Sequence, residues 1–247
     1  MDYDNLLDLV KKTRSLRRFK PDPIPDEYIE KMIEVARWAP SGFNQQPWEF
    51  VVVKDSELRS KIAQYSGLFR SQSHDMETTR EAWQGKGPSM MRSNEANYSI
   101  APVYIIVFGD TRTRDGLPMK VRYDIRLRDR IFTSGLVNAF LYLHMAASSL
   151  GLASQWVSWI SEPYVECMVK DLLGIPKEME VYDMLAVGYP AVKARPKLLR
   201  PKEKMVHFDR CSAESFRTDD EVKDFIRRSR NWILATMARG PDHFRGM

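Results

Sequence analysis

The sequence predicts a domain of helices and strands in which a sheet is covered by helices on both faces. Residues 50–53 and 102–108 are continuously apolar, and strands of that kind are buried on both faces. Residues 26–38 carry apolar side chains at i, i+3, i+4 and i+7, which indicates a helix with one buried stripe. A chain of 247 residues is within the range of one large domain.

Weaker patterns predict the remaining elements. We expect further helices over residues 5–12, 127–150, 163–173 and 219–237, and further strands over residues 153–160 and 179–187. Residues 127–150 are apolar or small around nearly the whole circumference, which predicts a buried helix, with a subunit interface as one way to cover it. We interpret His144 on this helix as a core histidine rather than a proton donor.

One segment, residues 66–99, shows little periodicity. It is polar, with Gly67, Gly85, Gly87 and Pro88, and only residues 75–83 have a helical pattern. A weakly structured stretch of this length in a compact domain is usually either a functional lid or disordered. The sequence leaves both interpretations open.

Charge and composition exclude several classes of function. The net charge of +5 and pI near 9.1 allow nucleic-acid binding, but acidic residues lie among the basic ones, as at Asp124 and Asp129 around Arg126 and Arg130. That distribution favours a solvated surface and small anionic ligands. There is no 18-residue apolar run and no basic, apolar leader at Met1, so we expect a cytoplasmic protein without a membrane span.

Motifs for metal, nucleotide and hydrolase sites are absent from the sequence. The four histidines are far apart, and Cys167 and Cys211 form no CxxC pair, so we expect free thiols and no metal site. There is no GxGxxG fingerprint, no phosphate-binding glycine loop and no Gly-x-Ser-x-Gly elbow. Redox chemistry would therefore need a bound organic cofactor.

The segment from Ala39 to Trp48 stands between the first helix stripe and the first apolar strand. Its prolines and glycine stop both elements and indicate a shaped loop. Its uncharged polar side chains both donate and accept hydrogen bonds, as a flat heterocycle rimmed with carbonyls requires. The alternative is a polar turn capped by Trp48 in the core.

Four motifs, in order along the chain, resemble the nitroreductase family of FMN enzymes. They are Thr-Arg-Ser-Leu-Arg-Arg-Phe at residues 13–19, Pro-Ser-Gly-Phe-Asn-Gln-Gln-Pro-Trp at 40–48, Leu-Gly-Leu-Ala-Ser-Gln-Trp at 150–156, and Val-Gly-Tyr-Pro at 187–190 with Arg-Pro at 200–201. Each motif alone is weak evidence, whereas the ordered set covers roughly residues 7–210.

The resemblance implies an α+β fold with a central, mainly antiparallel sheet flanked by helices. It implies an intertwined homodimer, with an FMN-binding domain over residues 1–212 and a helical C-terminal extension over 213–247. Residues 66–99 would cover the substrate, with Trp83, Met90 and Met91 either touching it or packing the lid onto the body.

The implied activity is FMN-dependent oxidoreduction in a ping-pong cycle. NAD(P)H would reduce FMN and leave, and a small organic acceptor such as a nitroaromatic or a quinone would follow. The same motifs serve relatives that dehalogenate aromatic compounds or degrade flavin. A flavin-binding protein without turnover is an alternative from another class, and a nucleic-acid-binding module is a third.

The resemblance also assigns the cofactor contacts, and no side chain is expected to be catalytic by itself. Arg14 and Ser15 would meet the ribityl chain and phosphate, and Arg17 would stabilise the reduced flavin at its pyrimidine edge. The other predicted contacts are Pro40, Ser41, Asn44 and Gln46 from the other subunit, Trp156, Val157, Ser158 and Trp159 past the flavin N5, and Arg200 with Lys202 at the phosphate.

Two positions depart from the family pattern. Many relatives carry a basic residue where this chain has Thr13, so one phosphate contact is missing or is replaced by Lys12. Many have glycine near Trp159, whose large ring would narrow the space over the flavin and restrict the acceptors.

Overall fold

The computed structural model describes residues 2–78, 80–84, 98–194 and 196–238. Contacts divide the chain into two compact units, Met1–Phe69 with Asn94–Ala194, and Arg70–Ser93 with Arg195–Met247. The predicted substrate contacts Met90 and Met91 lie outside the described residues. The predicted domain boundary at residue 212 stays a prediction.

The first unit is built on a four-stranded sheet. Its strands are β1 (Trp48–Val53), β2 (Val103–Asp110), β3 (Ala153–Val157) and β4 (Met179–Gly188), in the spatial order β1-β2-β4-β3. Every neighbouring pair is antiparallel, and Tyr182 is an extra residue in β4 where its register with β2 shifts. The predicted antiparallel sheet is confirmed, and β3 lies at its edge.

Seven helices surround or follow the sheet in the described part of the chain. They are α1 (Tyr3–Lys12), α2 (Asp26–Arg37), α3 (Ser56–Thr78), α4 (Met119–Arg122), α5 (Ile125–Ser149), α6 (Pro163–Leu173) and α7 (Asp219–Ala238). Asp124 caps α5 by accepting a hydrogen bond from the Leu127 N–H, and Gly151 follows its end at φ +73°.

Helices cover both faces of the sheet, as the continuously apolar strands predicted. On one face, Met32 of α2 and Phe140 of α5 pack in the same core as Ile105 of β2. On the other face, Ile62 of α3 belongs to a second core with Ile106 of β2, and α6 adds its buried valines. Side chains along β2 alternate between the two faces, so this one strand contributes residues to both cores.

Within one chain the long helix α5 is buried on one face, so burial all round, which would need a second subunit, stays a prediction. Leu136 is buried, whereas Thr133, Ser134 and Leu141 are exposed on the other face. Among the described helices, α5 alone is long and apolar enough to cross a membrane, but half of its apolar window is buried in the fold. Packing on the sheet therefore accounts for its composition.

Two predicted segments differ from the structure. Helix α3 continues to Thr78, so the prediction of little regular structure from residue 66 is wrong for residues 66–78. The predicted strand over residues 153–160 ends at Val157, because Ser158 turns into the α region and Trp159–Ser161 form a 3₁₀ turn. Trp159 therefore lies beyond the strand.

The second unit joins part of the predicted lid to the C-terminal extension. Helix α7 packs on the 3₁₀ turn Ala82–Gln84, where the Lys223 ammonium lies 5.8 Å from the centre of the Trp83 ring. Lys204 also forms a 3.0 Å ion pair with Glu221 in the first turn of α7. Helix α7 therefore contacts residues from both segments of the second unit, Trp83 from the first and Lys204 from the second.

Candidate functional site

The N-terminal motif runs along the outer edge of β3. Ser15 forms a parallel bridge with Ser154, and the Leu16 N–H donates to the Ser154 carbonyl at 2.9 Å. The Trp156 N–H donates to the Ser15 hydroxyl at 3.3 Å. Because β3 is the edge strand, its outward backbone groups are open to this pairing, which holds the first motif against the third.

The same segment then reaches the Gly-Tyr-Pro motif after β4. Phe19 bridges Pro190, the Lys20 N–H donates to the Tyr189 carbonyl at 2.9 Å, and the Ala191 N–H donates to the Arg18 carbonyl at 3.1 Å. The first motif, more than a hundred residues before the other two, therefore meets both of them along one backbone path. Periodicity in the sequence does not predict such long-range pairing.

Two arginines of the motif differ in their local contacts. Arg14 donates from Nη1 to the carbonyls of Val10 and Thr13 at 3.1 and 2.6 Å, so it caps the C-terminal end of α1. Its Nε is buried without a hydrogen-bond partner in the described part of the chain. Arg17 donates to the Ser15 carbonyl at 3.4 Å, and burial lowers the pKa of its guanidinium.

The loop between α2 and β1 has an unusual backbone. Phe43, Asn44 and Gln46 have φ values of 56°, 51° and 46°, in the left-handed region that residues other than glycine seldom adopt. The Ser41 hydroxyl accepts from the Gln46 N–H at 3.0 Å, and the Gln46 amide donates to the Asn44 side chain at 3.2 Å. Strain of this kind clusters at ligand-binding sites.

This loop is packed closely on α5. The Asn138 amide donates to the Pro40 carbonyl at 2.9 Å. A Cβ placed on Gly42 would come within 2.6 Å of Ile131, and one placed on Gly135 would be 3.2 Å from Pro47. The predicted contacts Pro40, Ser41, Asn44 and Gln46 therefore form one shaped unit on the helix.

The two groups of predicted residues lie on opposite sides of α5. The loop contacts α5 at Gly135, whereas β3 contacts it at His144, whose Nδ1 is 2.7 Å from the Ser154 hydroxyl. Nine residues of α-helix span about 14 Å and about two and a half turns. Within one chain, the loop and the segment beside β3 do not form a single cluster.

The predicted contacts after β3 have a different arrangement from the one expected. Val157 is buried at the end of the strand, Ser158 is exposed in the turn, and the Trp159 side chain is 38% exposed. Because Trp159 lies in a turn and not in β3, its ring would approach a bound ligand from a different direction than the predicted strand implies. Whether it narrows the site stays a prediction.

The last two predicted contacts belong to the second unit. Arg200 donates from Nη2 to the Lys204 carbonyl at 3.0 Å, and Lys202 begins the 3₁₀ turn Lys202–Lys204. Their contact with a phosphate stays a prediction. The ion pair between Lys204 and Glu221 connects this basic turn to α7.

Sequence reasoning missed a buried polar group behind β3. The Trp156 indole N–H donates to a carboxylate oxygen of Asp183, and burial raises the pKa of Asp183 to about 6, an effect that this hydrogen bond opposes. The signal in the sequence is an acid, Asp183, among the apolar residues 181–187 of β4. His144 is a buried core histidine, as predicted, and burial followed by the charge of Arg14 lowers its pKa to about 4.

Metal-binding and thiol chemistry have no visible centre in the described residues. No group of three or more His, Cys, Asp or Glu side chains there is placed to hold a metal ion. Cys167 and Cys211 are both free and exposed. The site is therefore described by arginine, hydroxyl, amide and backbone groups, which suit an anionic and heterocyclic ligand.

Comparison with known proteins connects this arrangement to a family. The chain is 30% identical over 192 residues to an iodotyrosine deiodinase of Haliscomenobacter hydrossis, covering 77% of this chain and 82% of that protein. It is 24% identical over 213 residues to an NADH dehydrogenase of Thermus thermophilus, covering 79% and 91%.

A solved structure shows the same fold. It is an oxidised iodotyrosine deiodinase bound to FMN and 3-iodo-L-tyrosine, with a TM-score of 0.60, 25% identity, and coverage of 83% of this chain and all of that one. The family model described as "Nitroreductase family" matches residues 10–189, which include the first three motifs and the Val-Gly-Tyr of the fourth. The chain, with its α+β fold, belongs to the nitroreductase family.

Proposed function

We propose that this protein is an FMN-dependent oxidoreductase that takes a hydride from NAD(P)H and passes electrons to a small conjugated acceptor, such as a nitroaromatic or a quinone. The observation that carries the proposal is the pairing of the Arg-Ser-x-Arg segment with the outer edge of β3, through Ser15, Ser154 and Trp156. Family membership and a relative named for NADH oxidation support it.

The donor set of the site fits FMN. Arg14 carries a buried Nε without a hydrogen-bond partner in the described residues, and Arg17 presents a second, partly buried guanidinium three residues later. Guanidinium groups bind phosphate and ring carbonyls through paired donors. FMN, when bound, would supply the two-electron chemistry that no side chain in the set provides.

The chain's own residues would bind and orient the cofactor. Arg14 and Ser15 would hold the phosphate and ribityl chain, and Arg17 would stabilise the negative charge that develops at the pyrimidine edge on reduction. The backbone that continues past this pairing, from Trp156 to Trp159, would run past the flavin N5. Arg200 and Lys202 would complete the phosphate site.

We further propose that the site is completed by a second copy of the chain. The strained loop and the segment beside β3 lie on opposite sides of α5, and the face of α5 with Ser134 and Leu141 is exposed. That face carries a depression of 470 Å³ lined by Asp129, Arg130, Thr133, Ser134, Val137 and Asn138. A dimer formed across α5 would cover exposed apolar surface and bring the loop of one chain to the other chain's arginines.

The remaining segments have roles in the same proposal. Residues 66–99 would cover the substrate, and residues 213–247 would extend the family domain. The packing of α7 on the turn with Trp83 supports a C-terminal extension that braces part of the lid. Of the three predicted substrate contacts, Trp83 is the one that the structure describes, so it is the residue to substitute in a test of substrate contact.

Anaerobic reduction tests the proposed function. The purified protein should be yellow, should release FMN rather than FAD on heating, and should bleach when NADH or NADPH is added. A colourless protein that takes up no added FMN would contradict the proposal. A yellow protein that neither nicotinamide bleaches would instead be a flavin-binding protein without turnover.

Reductive dehalogenation is a second candidate. It is supported by the 30% identity to a protein named iodotyrosine deiodinase. The anaerobically reduced protein should be mixed separately with a nitroaromatic, a quinone and 3-iodo-L-tyrosine, and the return of the oxidised flavin spectrum followed. Fast reoxidation by 3-iodo-L-tyrosine with iodide release would favour this candidate over the first.

A further inference from the structure

Strand β3 is held from behind by a buried hydrogen bond. The Trp156 indole donates its Nε1–H to Asp183 of the neighbouring strand β4. The same indole packs on Phe140 of α5, with ring centres 4.3 Å apart, and lies near Tyr182 at 6.5 Å. The indole is therefore fixed by one directional bond and by aromatic packing.

The backbone of the same residue forms part of the proposed cofactor site. The Trp156 N–H donates to the Ser15 hydroxyl at 3.3 Å on the outer edge of β3. An indole anchored at its Nε1 and packed on Phe140 restrains the Cα of Trp156, and a shift of that Cα would also shift the backbone N–H that donates to Ser15. Asp183 could in this way affect the outer edge of β3 without touching it.

Burial of the Asp183 carboxyl group lowers the stability of the fold. It is only 6% exposed, and burial raises its pKa to about 6. A buried carboxyl group destabilises a fold unless hydrogen bonds compensate for its lost hydration. An apolar residue of similar volume would fill the same space without that cost. A hydrogen-bonding task at this position explains the acid better than packing does.

We propose that Asp183 is a positioning residue of the cofactor site, because its hydrogen bond to Trp156 fixes the stretch of β3 that orders Ser15. The inference rests on the proposed FMN site. It assigns a role to a residue that makes no contact with the Arg-Ser-x-Arg segment, and it predicts that the hydrogen bond matters for FMN affinity while the negative charge does not.

A double-mutant cycle on FMN affinity tests the pair. Asp183→Leu removes the carboxylate that accepts the hydrogen bond and keeps a side chain of similar volume. Trp156→Phe removes the indole N–H that donates it and keeps an aromatic ring against Phe140. Each variant should weaken FMN binding about tenfold, or about 1.4 kcal/mol. The double variant should be no weaker than either single one, because both remove the same interaction.

Two further variants separate positioning from general stability. Asp183→Asn keeps an acceptor without the charge and should bind FMN within about twofold of the wild type, since the amide oxygen accepts from the indole. Tyr104→Phe removes another buried hydrogen bond, to the Tyr98 carbonyl in the opposite core, and should leave FMN affinity unchanged.

The outcomes distinguish this inference from the proposed function. If the wild type takes up no FMN, the proposed function fails. If the wild type binds FMN and Asp183→Leu binds it equally well, or if the two single effects add, the positioning role is wrong. Near-ultraviolet circular dichroism of each apoprotein shows whether the fold is retained, and a folded Trp156→Phe variant with wild-type affinity also overturns the inference.

Discussion

Arg14 and Arg17 are three residues apart, yet their surroundings give them different tasks. Arg14 already donates to two carbonyls at the end of α1, so part of its guanidinium is committed to the helix. Arg17 has one long hydrogen bond, to Ser15, and burial lowers its pKa. A charge in such surroundings interacts strongly with any charge that develops beside it.

Replacing Arg17 with Gln should lower the reduction potential of the bound flavin. Gln keeps hydrogen-bonding capacity but removes the charge that stabilises the reduced, anionic ring. Loss of one charge-assisted hydrogen bond costs roughly 1.5–3 kcal/mol. If the loss acts on the reduced state alone, the two-electron midpoint falls by about 30–60 mV. A spectroelectrochemical titration measures it, and an unchanged potential with lost FMN binding would make Arg17 a phosphate anchor.

Arg14→Gln should have the opposite pattern. A phosphate carries the same charge in both redox states, so we expect weaker FMN binding with little change in potential. The variant should also lower the free energy of unfolding, because the cap on Val10 and Thr13 is lost. Arg14→Lys is the control that keeps the positive charge but lacks the paired N–H donors of the guanidinium. A large potential shift in Arg14→Gln would contradict the assignment.

Asp183→Asn should stabilise the apoprotein at neutral pH. The folded-state pKa of Asp183, about 6, lies above its ordinary value of 3.8. The folded state therefore binds the proton more tightly, and this contribution to stability is present below pH 4 and lost as the pH rises through 6. The variant should gain on the order of 1–3 kcal/mol at pH 7.5 and nothing near pH 4. Urea unfolding of the wild type and the variant at pH 7.5 and at pH 4 measures this difference. An equal gain in stability at the two pH values would show that the ionisation of Asp183 is not its cause.

The loop over residues 40–47 depends on one helix for its shape. Gly135 of α5 leaves room for Pro47 and Ser41, since a Cβ at this position would lie 3.2 and 3.3 Å from their side chains. These distances are tighter than ordinary carbon contacts. Helix α5 is therefore the support on which the strained backbone at Phe43, Asn44 and Gln46 rests.

Gly135→Ala should displace this loop and weaken FMN binding severalfold. The substitution itself favours the helix by about 1 kcal/mol, so a loss of affinity cannot be ascribed to a weaker α5. Ala146→Gly, eleven residues further along α5, is the matched control, because it weakens the helix at another buried position. Wild-type affinity in Gly135→Ala would show that the loop does not bind the cofactor.

Elements with a clear period could be predicted from the sequence, whereas several ends and pairings could not. The stripe of α2 and the apolar runs of β2 and β4 correspond to their observed elements within a few residues. Helix α3 was missed because its apolar stripe of Leu58, Ile62, Tyr65 and Phe69 is followed by a polar stretch in which only Met76 is apolar. The end of β3 was missed because Trp159 and Ile160 continue its apolar pattern into a turn.

The site was predictable only in its residue types. The motifs named the residues beside β3 and in the loop, but the pairing of Ser15 with Ser154 joins positions 139 residues apart and leaves no local pattern. Asp183 appears in the sequence as an acid among the apolar residues 181–187, and only its hydrogen bond with Trp156 in the fold reveals a partner. Tertiary contacts, rather than propensity, decide such features.

At the scale of the whole molecule, one chain leaves much apolar surface uncovered. Tyr3, Leu6 and Val10 of α1 are exposed, and no residue of that helix is buried within the chain. Leu141 is exposed on α5 as well. Apolar helix faces of this kind are typical of subunit interfaces, in agreement with the proposed dimer.

Leu141→Asp should therefore produce a monomer that has lost its flavin. The charge lies on the exposed face of α5, and Leu141 is not itself one of the proposed cofactor contacts, so none of those side chains is replaced. Light scattering gives the mass and absorbance gives the flavin content. Gln64→Asp, at an exposed polar position of α3 on the other face of the sheet, is the comparison for charge alone. A Leu141→Asp monomer with full FMN content would contradict a shared site.

Complementation between two variants tests the shared FMN site most directly. Arg14→Ala with Arg17→Ala removes the contacts beside β3, and Ser41→Ala with Asn44→Ala removes those of the loop, so each homodimer should bind no FMN. After subunit exchange, about a quarter of the sites should bind FMN, because half of the dimers are mixed and each has one intact site of two. No recovery in demonstrably mixed dimers would show that both groups must come from the same chain.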